Sequence, residues 1–135
     1  MYRNLLVPVA FDSDHTPEAA LAVARQLAAP GAQVTVLHVM EEAPPYAVSY
    51  IPEDVVHSLR EGLRAEMGGM ASGFENGQAV LIDGHSGRSI LHWAEDHEVD
   101  CIVIASRRPG LQERVLGSTA SWVVSRAHCA VHVVR

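Results

Sequence analysis

Short, almost unbroken apolar runs alternate in this chain with stretches whose apolar residues recur every three or four positions. No other feature constrains the fold as much. Leu5–Ala10, Gln33–Met40, Gln78–Ile82, Cys101–Ala105 and Ala130–Val134 are runs of strand length. Between them lie helical patterns. Thr16 is placed to cap the first helix, with Pro17 at its first position and Glu18 in its first turn. Ala19, Ala20, Val23, Ala24 and Leu27 then form its apolar stripe, and Pro30-Gly31 stops it. Ala43-Pro44-Pro45-Tyr46 reads as loop. A second helix is expected from near Pro52 to about Met70, carrying Val55, Val56, Leu59, Leu63 and Met67. A third runs from Ser86 to about His97 with Ile90, Leu91 and Ala94 inward, and a fourth from Gly117-Ser118 to about Arg126. Strands that are apolar on both faces, separated by helices, belong in a parallel sheet covered on both sides. Right-handed crossovers make this a doubly wound α/β domain. Its length of 135 residues suits a single domain with one core, spanning 1–135.

Such sheets bind ligands beyond the carboxyl ends of their strands, where the strand order reverses. That rule points to Pro8–Asp12, Val39–Glu41, Asp83–Gly87 and Ala105–Gly117. Composition narrows the chemistry available there. The chain has no lysine, and all ten basic residues are arginine. A P-loop lysine, a Schiff-base lysine and a lysine general base are thereby excluded. A net charge of −6 argues against general binding to nucleic acid or to anionic membranes. No apolar run is long enough to span a bilayer. The opening residues read as a strand and not as a signal peptide, so a cytoplasmic protein is expected. Cys101 and Cys129 lie in separate apolar segments and are expected to be reduced.

The segment Ala105-Ser106-Arg107-Arg108-Pro109 to Leu116-Gly117-Ser118 is the most informative. It leaves a buried strand and ends at a helix start. Ala105 and Gly117 allow close approach to the backbone. The helix start offers unpaired N–H groups and the positive end of a dipole, which suit an anion. Ser118 and Thr119 add hydroxyls, and Arg107 and Arg108 add charge. Other candidates are weaker. The eight histidines show no metal-ligand spacing. Gly84-His85-Ser86-Gly87 lacks the nucleophile elbow and reads as a loop and helix cap near the ligand. Glu41-Glu42 and Glu95-Asp96-Glu98 have the pattern of solvated surface, and Trp93 and Trp122 that of packing residues.

The stretch Ile102–Arg135, with the opening RNLLVPVAFD and the later VTVLHVMEE, resembles the universal stress protein family over the whole chain. The similarity is weakest from about Glu53 to Ala79. Nucleotide-binding members carry G-x2-G-x9-G-[ST]. Here Ala105 stands at the first glycine and Arg108 at the second, and eight residues instead of nine precede Gly117-Ser118. One branch of the family has such a shortened loop and includes nucleotide binders. The family's aspartate after the first strand falls on Ala10, with Asp12 two residues later.

The resemblance implies strand order 3-2-1-4-5. It implies a stress-response or regulatory protein that binds ATP or AMP, possible company for Mg²⁺ or Mn²⁺, and slow ATP hydrolysis or self-phosphorylation at most. Adenine is expected against Pro8, Val9, Ala10 and Val39, and phosphates at Ala105, Ser106, Arg107, Arg108, Gly117, Ser118 and Thr119. With no carboxylate at Ala10, selection of adenine over guanine should be modest and rest on backbone groups near Val39. A homodimer through Ala130, Val131, His132, Val133 and Val134 is expected, together with an unidentified regulatory protein partner. The alternative is a dimeric interaction module of the same fold that has lost nucleotide binding. Arg108, Ala10 and the shortened loop motivate it.

Overall fold

In the computed structural model, which describes residues 1–11, 17–41, 51–106 and 116–135, the described elements are strands β1 (Tyr2–Pro8), β2 (Ala28–Met40), β3 (Asn76–Asp83), β4 (Cys101–Ala105) and β5 (Ala130–Val134), and helices α1 (Glu18–Leu27), α2 (Glu53–Ala71), α3 (Ser86–Asp96) and α4 (Ser118–Arg126). The strands form one parallel sheet in the order β3-β2-β1-β4-β5. Side chains alternate across it with the period of two that a strand imposes. Leu5, Val7, Val34, Val36 and Val103 face α1 and α2, whose Ala20, Leu21, Ala24, Met67 and Ala71 close one core layer. Leu6, Leu37, Val39, Ile102 and Ile104 face α3 and α4, whose Ile90, Leu91, Ala94, Ala120 and Val123 close the other. Cys101 belongs to the first layer and Cys129 packs on the second, so the two free thiols lie on opposite faces.

Several local expectations are refined. Thr16, Asp12 and the loop at 43–46 lie outside the described residues. Pro17 has helical backbone, and its carbonyl accepts the Leu21 N–H at 3.0 Å, so proline does open the helical path. The first helix ends at Leu27, before Pro30-Gly31, because proline disfavours helical backbone in the residue preceding it. β2 therefore starts early, at Ala28. Its first residues hold an irregularity between the pairs Tyr2↔Ala28 and Asn4↔Gln33, where Gly31 takes φ 77°. In α2 the apolar stripe is only partly buried. Met67 and Ala71 are in the core, while Val55 and Leu59 stay about half exposed. The C-terminal half of the helix covers the sheet and the N-terminal half borders the cleft described next.

Two contacts set the positions of α3 and α4. A Cβ on Gly87 would come within 2.6 Å of Trp122 Cδ1, so the two helices approach as closely as glycine permits. The turn after α3 is tied to the start of β1. Asp100 accepts the N–H groups of Arg3 and Asn4 at 2.8 and 3.0 Å, and Asn4 Nδ2 donates to the His97 carbonyl at 2.7 Å.

Candidate functional site

A cleft of about 720 Å³ opens at the carboxyl ends of β1, β2 and β4. Its origin lies in the sheet. β1 and β4 pair at Leu5↔Cys101 and Leu6↔Ile102, and the ladder does not continue. Val9 gives its N–H to Leu37 of β2 at 2.8 Å. Strand alternation therefore turns position 8 toward β4, and proline has no N–H to offer there. The strands part at this point, which is the switch point of a doubly wound sheet.

The cleft has two chemically different ends. Pro8, Val9, Leu37, Val39 and Ile90 form an apolar base, and Leu59 and Leu63 of α2 form one wall. Across β1 lies the start of α4, where Gly117, Thr119 and Ala120 line the cleft. Among the described residues no side chain caps this helix, and its first turn holds no acidic residue. Its leading N–H groups and positive dipole end are thus available to an anion. Gly117 is buried with φ −60°, an angle open to any residue, so backbone freedom does not require glycine here. Its N–H donates to the Ser106 carbonyl at 2.6 Å, which brings the chain back beside the end of β4 after the segment 107–115. Ser106 Oγ is buried with no protein partner among the described residues.

The start of α3 is different, because a side chain caps it. The His85 ring accepts the Arg88 N–H at 3.3 Å, and Ser86 Oγ donates to Glu41 Oε1 at 2.9 Å. An internal carboxylate therefore occupies the neighbourhood where an outside anion could otherwise sit. Between these ends His38 Nδ1 donates to the Val9 carbonyl at 2.7 Å, and the ring meets Phe11 edge-on at 4.8 Å between centroids. These contacts pin the chain where it leaves β1.

Of the residues expected from sequence, Pro8, Val9, Ala10, Val39, Ala105, Gly117 and Thr119 come together on the cleft wall. Ser106 is buried behind it, and Ser118 is exposed at the first position of α4. Arg107 and Arg108 lie outside the described residues. The sequence reading did not pick out Phe11, His38, Leu59, Leu63 and Ile90 as site residues. His38 had a signal, a lone imidazole inside an apolar strand. Glu41 and Ser86 also line the cleft, although Glu41 had the pattern of open surface. Among the described residues no group of three or more His, Cys, Asp or Glu is placed to hold a metal ion, and no helix is long and apolar enough to cross a membrane.

Comparison with known proteins agrees with this architecture. The model of the universal stress protein family matches residues 1–135. A protein of Thermus aquaticus described as a universal stress protein in the QAH/OAS sulfhydrylase 3′ region is 31% identical over 139 residues, covering 100% of both chains. The solved structure of hypothetical protein MJ0577 superposes with a TM-score of 0.80 at 27% identity, covering 99% of this chain and 96% of that one. The universal stress protein from Archaeoglobus fulgidus, solved in complex with dAMP, has the same fold with a TM-score of 0.67 at 21% identity, covering 99% of this chain and 98% of its own. The sheet order, the cleft at its switch point and the match over every residue lead to one conclusion: the chain belongs to the universal stress protein family.

Proposed function

We propose that this chain is a single-domain, cytoplasmic adenine-nucleotide-binding regulator of a stress response. It takes ATP or AMP in the cleft, phosphates on α4 and base on the apolar floor. The observation that carries this reading is the uncapped start of α4 at one end of an apolar cleft. An aromatic base removes apolar surface of Pro8, Val9 and Val39 from water, and the phosphates take the leading N–H groups of residues 118–120. Ser118 and Thr119 add hydroxyls for phosphate or for an accompanying Mg²⁺ or Mn²⁺, and Arg107 and Arg108 supply charge. The dAMP held by the Archaeoglobus fulgidus protein supports the choice of an adenine nucleotide. A nucleotide here touches both ends of the segment 107–115, so binding alters the surface offered to a regulatory partner.

We further propose a homodimer through β5. Ser106 N–H donates to the Val134 carbonyl at 2.8 Å, so Val134 faces β4 and alternation turns the Val133 backbone outward. A two-fold copy pairing with that edge would satisfy it.

Calorimetry with ATP and AMP tests the nucleotide reading. Binding is expected for the parent chain, loss of binding for Gly117→Val, and a weakening of about 1 kcal/mol for Ser118→Ala, the scale of one hydrogen bond. Absence of binding to the parent at millimolar nucleotide would refute it and favour the interaction module without ligand.

A further inference from the structure

We propose that Glu41, together with Ser86, reads the exocyclic amino group at C6 of the bound base and so selects adenine over hypoxanthine. The inference rests on the nucleotide reading above and assigns its base specificity. Glu41 stands just past the end of β2, and Ser86 is the first residue of α3. They are 45 positions apart in the chain, yet Oε1 and Oγ lie 2.9 Å apart on the cleft wall. A carboxylate only accepts, so the serine hydroxyl gives its one proton to Glu41. The lone pairs of Ser86 and the second oxygen of Glu41 are then all acceptors, so this pair of side chains offers a ligand acceptors alone.

The ends of the cleft fix which part of a nucleotide arrives here. Phosphate is drawn to α4, beside β4, and is repelled by the Glu41 carboxylate. β2 lies two strands from β4, with β1 between them, a separation of about 10 Å. The end of the ligand remote from its phosphates therefore lies at Val39–Glu41. At C6 adenine carries an amino group with two donor hydrogens, whereas hypoxanthine carries an acceptor oxygen there and its one donor on this edge, N1–H, lies a ring atom further on. With C6 turned toward Glu41 and Ser86, this acceptor pair bonds the amino group and repels the oxygen. The carboxylate missing at Ala10 is in this way supplied from the end of the next strand.

The test compares ATP with ITP, in which only that edge of the base differs, by calorimetry on the parent, Glu41→Gln and Ser86→Ala. The parent should bind ATP at least about tenfold more tightly than ITP, the scale of a hydrogen bond to a charged acceptor. Glu41→Gln should bring the ratio to within about threefold of unity, since its amide can donate to the carbonyl of the base. Ser86→Ala should give an intermediate ratio. Glu41 is exposed, so these variants keep the core intact, and a role confined to structure would lower both affinities together and leave their ratio unchanged. A parent that binds both nucleotides equally, or a ratio unmoved by Glu41→Gln, overturns the inference and leaves nucleotide binding standing. A parent that binds neither refutes both.

Discussion

The substitution Gly87→Ala probes the contact that brings the starts of α3 and α4 to one cleft. An added Cβ would lie 2.6 Å from Trp122 Cδ1, 2.7 Å from Cγ and 3.0 Å from Cβ. Carbon atoms in contact prefer about 3.5–4.0 Å, so the indole must retreat by roughly 1 Å. It is not free to do so. The Arg126 guanidinium lies 3.7 Å from the ring centroid, His85 packs at 5.4 Å, and two of the three crowded atoms sit near the root of the side chain. Overpacking of this kind costs about 1–3 kcal/mol. Replacing glycine within a helix returns up to about 1 kcal/mol. The expected net loss is about 1–2 kcal/mol, read by urea unfolding at fixed protein concentration with an unchanged m-value. In a Trp122→Ala background the clash is gone and the same substitution should become stabilising, with a coupling of at least about 1 kcal/mol between the sites. A Gly87→Ala protein as stable as its parent, or a change of the same sign in both backgrounds, would refute the close approach of the helices.

Burial pushes the Cys101 thiol from 9.0 up to about 11, with smaller contributions from Cys129 and Asp100. The fold therefore favours the neutral thiol. Its contribution to stability is intact below pH 9 and lost as the pH rises toward 11, because the unfolded chain ionises first. Urea unfolding across that range should show a shallower decline for Cys101→Ala than for the parent, and parallel declines would contradict it. For the dimer, light scattering should give twice the mass of one chain. Val133→Pro removes an N–H from the outer edge while leaving the β4–β5 ladder whole, so it should yield a folded monomer. A parent mass of one chain, or a Val133→Pro dimer, would count against pairing through β5.

Cys101–Ala105 and Ala130–Val134 have the same limits in the sequence reading and in the structure, the first because a strand buried on both faces must be written as an unbroken apolar run and the second because the valines of this edge strand still face the core layers. Ser86–Asp96 and Ser118–Arg126 were legible for a related reason. Their inward residues recur at the helical period, and Gly117-Ser118 marks a start that local chemistry alone defines. The place where α4 starts was readable too, since it depends on the residues of one turn. Periodicity reports that a residue is apolar but not whether anything lies opposite it. Val55 and Leu59 share a stripe with Met67, yet only Met67 meets the sheet, because α2 runs on past the part of the sheet it covers.

The side chains that give the cleft its character were decided by tertiary structure. Glu41 and Ser86, His38 and Val9, and Gly87 and Trp122 are distant in the chain and adjacent in space. The layered sheet and the place of the cleft were legible in local segments, because burial is a property each segment declares through its own composition. Whether the Glu41 carboxylate faces water or a serine hydroxyl depends on the order of the strands and on where α3 begins, and no local segment contains that information. Hydrogen bonds are short and directional, so the partner of a polar group is fixed only when the whole sheet has set its register.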